Sequence, residues 1–147
     1  MNRTFGLSVL LVAPDCAVAG RCRGGLLEAQ PAAHVTTAHD LDQAADFLFP
    51  QRGSGAAPCG LVHLVLIDVP AVDDSVIEFV RRVRSDAATR RIPVVIVSDC
   101  AGTSNIEEAF ALGVNSVVTR PYDPQRRESL YRAIADYWLD LNESPTL

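Results

Sequence analysis

The chain has 147 residues, of which 48% are hydrophobic and 21% charged, with a formal net charge of −5. That length suits one domain with a real core and leaves little room for a second. The acidic balance argues against a general nucleic-acid binder, and no apolar run approaches the roughly 20 residues that cross a bilayer. Leu7 to Val12 is a short β-rich run ended by Ala13-Pro14-Asp15. Asp15 is placed to cap a helix with apolar positions Val18, Leu26 and Leu27, which the Gly24-Gly25 pair weakens. Ala33 to Thr37 reads as a second strand, and Asp40 as the cap of a helix with Leu41, Ala44, Ala45 and Leu48 on one face. Residues 50–60 are rich in Pro, Gly and Ala and read as a surface loop.

The run from Leu61 to Ile67 is almost wholly apolar and is closed by Asp68. Such a run is a strand buried on both faces, as in a parallel sheet. A carboxylate at its C-terminal end stands at the edge where open α/β sheets bind ligands, so Asp68 is either a reactive group or a turn former. Asp73 or Asp74 begins a helix with Ile77, Val80 and Val83 inward. Its arginines, with Arg90 and Arg91, read as a solvated face and turn. Pro93 to Ser98 is a fourth strand. Ser104 is placed to cap a helix carrying Ile106, Ala109, Phe110 and Leu112, with Gly113 as its stop. Ser116 to Thr119 is a fifth strand, which Pro121 keeps from extending. Asp123-Pro124 opens the last helix, where Leu130, Ile134, Tyr137 and Leu141 follow core spacing. Tyr131 and Trp138, seven apart, form a neighbouring stripe, either the rim of the core or an interface.

Five strands and five helices in alternation predict one parallel sheet with helices on both faces and right-handed crossovers. One domain over 1–147 is expected, with its core over about 5–141. The start shows no signal-peptide pattern. Cys16, Cys22, Cys59 and Cys100 form neither a CxxC pair nor a disulfide framework. Reduced thiols in the cytoplasm are expected, and the cysteines and histidines lack zinc-site spacing.

Three blocks carry a family resemblance: Leu64-Val65-Leu66-Ile67-Asp68; Ile92-Pro93-Val94-Val95-Ile96-Val97-Ser98; and the stretch from Ala111 to Pro121, which is similar to "LGANSYLTKP". With them the chain resembles the receiver domain of two-component response regulators over nearly all its length. The stretch from Ala133 to Leu139 and the long loop before the third strand resemble the small stand-alone receivers that partner bacterial phytochrome kinases. The resemblance implies a flavodoxin-like (βα)5 sheet of order 2-1-3-4-5. It also implies that a sensor histidine kinase, of phytochrome type in this subgroup, phosphorylates Asp68. Asp68 would be the nucleophile, with Mg²⁺ neutralising charge. Ser98 matches the hydroxyl that bonds the phosphoryl group, and Arg120 occupies the place of the family lysine before proline. The subgroup implies a homodimer through the last helix, with Tyr131 and Trp138 at the interface.

The departures fall at the chemistry. Family members carry an acidic pair in a pattern like "LVEDD", and here Ala13 and Pro14 fill those positions, leaving only Asp15, one place further on. Mg²⁺ needs oxygen ligands in near-octahedral geometry, so a Mg²⁺ site built on Asp15 and Asp68 is poorly supplied. Arg120 is planar, always charged and suited to bidentate oxyanion contacts; it can cradle phosphate or bond Asp68 directly. Three functions follow. The first is a non-enzymatic stand-alone receiver with phosphoacceptor Asp68, no output domain, and output by protein contact. The second is a phosphorylation-independent pseudo-receiver acting as an interaction or dimerisation module. The third and weakest is a small enzyme on the same fold, since no GxGxxG or GxxxxGK[ST] run is present and Pro70 stands two places after Asp68.

Overall fold

The computed structural model describes residues 7–50, 62–99 and 104–141. Of the loop expected over 50–60 all but the first residue, with Cys59, Leu61, Cys100 and the side chains of Ser104 and Leu141, lies outside the described residues. In chain order the elements are β1 (Ser8–Val12), α1 (Cys16–Ala29), β2 (His34–Ala38), α2 (Leu41–Leu48), β3 (Leu64–Asp68) and α3 (Asp74–Ser85). There follow β4 (Val94–Ser98), α4 (Ser104–Ala111), β5 (Ser116–Thr119), α5 (Pro124–Ala135) and a π-helical turn, Asp136–Leu141. The strands form one parallel sheet of order β2-β1-β3-β4-β5, as expected.

Local chemistry sets the boundaries. Asp15, Asp40, Asp73 and Asp123 each accept N–H bonds from the first turn of the following helix. Gly113 has φ of 95°, a left-handed conformation that ends the turn after α4 at little cost for glycine. Ser104 is the first helical residue of α4 and not the cap before it.

Strand alternation sorts the core into two layers. Val65, Ile67, Val94 and Ile96 face α2, α3 and α4, whereas Leu64, Leu66, Val95 and Val97 face α1 and α5. By the same alternation Asp68 falls on the α1/α5 side. There Ala19, Cys22, Gly25 and Leu26 of α1 are buried. Three of these are small, and Val18 and Leu27 are only partly buried, so the apolar signal of this helix is weak in sequence although its packing is close. Gly25 lies so near α5 that a Cβ there would come 2.8 Å from the Tyr131 Cβ.

Two expectations need correction. The inward residues of the last helix are Tyr131, Ile134, Ala135 and Leu139, while Tyr137 is about half exposed. Tyr131, Ala135 and Leu139 stand four residues apart, so the core face is regular but runs one stripe over from the expected one, and the last of them lies in the π turn. Arg84 is not part of a solvated face: it donates to the carbonyls of Arg90, Ile92 and Gly113 and to Asn115 Oδ1. Arg81, by contrast, pairs with Glu78 and Glu108 on the surface.

Candidate functional site

Asp68 ends β3 in register with Val97, one residue before Ser98, and Ser98 is in register with Thr119, which precedes Arg120. The backbone N–H of Arg120 donates to the Ser98 carbonyl at 2.8 Å. Parallel pairing therefore brings the ends of three strands to one edge of the sheet, which is how residues 68, 98 and 120 come together.

The Asp68 carboxylate is 2% exposed. Its Oδ1 accepts from Arg120 Nη2, and Arg120 Nη1 donates to Asp99. Its Oδ2 accepts from the Tyr131 hydroxyl at 2.5 Å and from the Cys22 thiol at 3.3 Å. Burial pushes the Cys22 thiol up to about 11, against the opposing influence of Tyr131 and Arg120. Burial, then the neighbouring Cys22, pushes the Tyr131 phenol above its ordinary value. Both groups hold their protons at neutral pH and act as donors. An ionised carboxylate only accepts hydrogen bonds, and here three donors from α1, α5 and the end of β5 converge on it.

Ser98 is fully buried at the end of β4. Tyr131, expected at an interface, is instead 2% exposed and turned inward onto Asp68, because the small residues of α1 let α5 approach closely. Trp138 stays partly exposed and meets Tyr137 edge-on, with ring centroids 5.0 Å apart. Cys22 and Asp99 were missed in sequence. The only signals were a cysteine among small residues of a weak helix and an acid directly after a buried strand. Arg120 Nε is buried without a partner among the described residues, and an unmade bond of this kind costs about 1–3 kcal/mol.

These residues do not fit a divalent cation. Asp15 is committed to α1, accepting the N–H groups of Ala17 at 2.8 Å and Val18 at 3.2 Å. Ala13 offers no side-chain oxygen, and both Asp68 oxygens already accept hydrogen bonds. Among the described residues no group of three or more His, Cys, Asp or Glu is placed to hold a metal ion. Between the ends of β1 and β3 lies a cleft of about 450 Å³, whose lining includes Asp40 and Asp73 but not Asp68. Those two carboxylates cap α2 and α3.

The architecture is that of response regulator receiver domains. No family model matches the chain. Among curated proteins it is similar to the probable methanogenesis regulatory protein FilR2 of Methanothrix harundinacea, 29% identical over 108 residues, 72% of this chain and 66% of that protein. It is also similar to the response regulator PleD of Caulobacter vibrioides, 33% identical over 45% of this chain and 14% of that protein. The chain thus spans less than two thirds of the length of either relative. Among solved structures, the phosphorylated cyanobacterial phytochrome response regulator RcpA superposes with a TM-score of 0.82 at 22% identity, covering 96% of this chain and 99% of that one. The Mn²⁺-bound form of the response regulator Rcp1 gives 0.82 at 20%, covering 95% and 99%. The bacteriophytochrome response regulator RtBRR gives 0.69 at 28%, covering 96% and 85%. These receiver-domain relatives support a role in two-component signalling. No described helix is long and apolar enough to cross a membrane.

Proposed function

We propose that the chain is a non-enzymatic, cytoplasmic receiver-fold module that works in two-component signalling by protein contact, with Asp68 serving as a fixed structural anion. The observation that carries this function is the occupation of both Asp68 oxygens by Arg120, Tyr131 and Cys22. Attack on phosphorus needs a free carboxylate oxygen and cationic help for the incoming charge. Here the oxygens are covered and the metal ligands are missing, so transfer requires breaking an ion pair and two hydrogen bonds first. The partner is a sensor histidine kinase, of phytochrome type by the kinship of RcpA and RtBRR. A homodimer through the end of the last helix, now centred on Trp138 and exposed Tyr137, fits the aromatic enrichment of interfaces. Nucleic acid and membrane are not partners in this scheme.

The second reading, phosphoacceptor Asp68, is favoured by its place at the end of β3 and by the phosphorylated state of RcpA. An autophosphorylated phytochrome-type kinase carrying labelled phosphate separates the two. The module is expected to co-elute with the kinase while the label stays on the kinase. Transfer that Asp68→Asn abolishes establishes the second reading, and absence of both transfer and co-elution removes the kinase as partner.

A further inference from the structure

We propose that the cleft between α1 and α5, above Arg120, is a non-covalent binding site for a small phosphate-type oxyanion. It measures about 270 Å³ and is lined by Val18, Arg21, Asp99, Arg120, Arg127 and Tyr131. Three guanidinium groups from three elements face one concavity of a chain whose net charge is −5. Their counter-charge is incomplete. Arg120 is held by Asp68 and Asp99. Arg127 is fixed by its Nε, which donates to the Pro121 carbonyl at 2.6 Å. Arg21 has no carboxylate partner among the described residues. Other surface arginines differ: Arg132 pairs with Glu28, and Arg81 with two glutamates.

Guanidinium forks match the oxygens of phosphate, and several together favour it strongly. Arg120 Nε is buried and without a partner among the described residues, so the Arg120 guanidinium still carries an unmade donor. The volume falls just below the roughly 300–1,000 Å³ of sites for drug-sized ligands, which suits inorganic phosphate, diphosphate or a compact phosphomonoester and not a nucleotide. Arg21 stands one helical turn from Val18, and Arg127 one turn from Tyr131, so each helix lines the cleft with an arginine and a second residue of the same face. An anion seated there competes with Asp99 for Arg120. Only the position of Arg120 rests on the locked Asp68 site, because binding here needs no transfer to Asp68.

Isothermal calorimetry on the full chain, at fixed ionic strength and without Mg²⁺, tests this with inorganic phosphate, diphosphate and glycerol phosphate as separate probes. Saturable binding is expected, weakened at least about tenfold, or about 1.4 kcal/mol, in Arg21→Ala/Arg127→Ala. Asp99→Asn is expected to tighten it by removing the competing carboxylate. Glycerol phosphate binding more tightly than phosphate points to an organic phosphate as the source, and the reverse to the free ion. Arg21 is exposed and Arg127 partly buried, and an unchanged melting temperature of the double variant confirms its fold. Absence of saturable heat up to about 10 mM of every probe, or equal binding by the double variant, overturns the proposal. Covalent phosphorylation is read separately, by mass, so failure of the Asp68 assignment and failure of this site are distinguishable.

Discussion

Replacing Arg120 with alanine is expected to destabilise the fold by about 3–5 kcal/mol, the range for leaving one charge of a buried pair uncompensated. Asp68 is 2% exposed, and Arg120 is the only cation bonded to it among the described residues. Without the guanidinium, Tyr131 and Cys22 still donate to Oδ2, but neither carries charge. Asp68 must then stay ionised without compensation or take up a proton in the folded state, and each course costs stability at neutral pH. The double variant Arg120→Ala/Asp68→Asn removes the orphan charge with its partner and is expected to regain part of the loss. A coupling above about 1 kcal/mol follows for groups in one network. Arg120→Lys is expected to fall between, because one ammonium cannot reproduce the fork that serves Asp68 and Asp99 together. Urea unfolding of the wild type, Arg120→Ala, Asp68→Asn and the double variant measures the cycle, with Arg120→Lys measured alongside. A cost under about 1 kcal/mol for Arg120→Ala would mark the pair as a screened surface contact.

Arg84→Ala is expected to cost about 2–4 kcal/mol, since single hydrogen bonds to charged groups contribute about 1.5–3 kcal/mol and water replaces part of the loss. Arg84 Nη1 reaches the Arg90 carbonyl at 3.0 Å and the Ile92 carbonyl at 2.8 Å. Nη2 reaches the Gly113 carbonyl at 2.8 Å and Asn115 Oδ1 at 3.1 Å. Asn115 in turn receives the Val94 N–H at 2.9 Å. One side chain therefore ties α3 to the entry of β4 and to the turn between α4 and β5. Partial burial lowers its proton affinity, so the charge is held by carbonyl dipoles. Lysine is not expected to rescue, as it lacks the planar set of donors. Denaturant midpoints of wild type, Arg84→Ala and Arg84→Lys test this, and a full rescue by lysine would reduce the role of Arg84 to charge alone.

The fold was legible where one signal dominated. Apolar runs ending at Asp68 and Ser98, four aspartate caps, and a glycine stop marked the sheet and helices before any geometry was known. The site was legible only in part. Asp68 and Arg120 were found through strand-end position and through the family resemblance. Cys22 escaped because alanine, glycine and cysteine form the inner face of α1, and hydrophobic periodicity is blind to close packing of small residues. Tyr131 was assigned to an interface because the core face was placed on Leu130, Ile134 and Tyr137, whereas the close approach of α1 at Gly25 turns Tyr131, Ala135 and Leu139 inward. Asp99 is marked only as an acid directly after a buried strand; its role arises from the fork of Arg120.

Intact mass after incubation with acetyl phosphate and saturating Mg²⁺ tests most directly whether the side chain at position 68 is engaged beyond reaction. The wild-type chain is expected to keep its mass, indistinguishable in behaviour from Asp68→Asn. Addition of one phosphoryl group to the wild type, absent from Asp68→Asn, would contradict it.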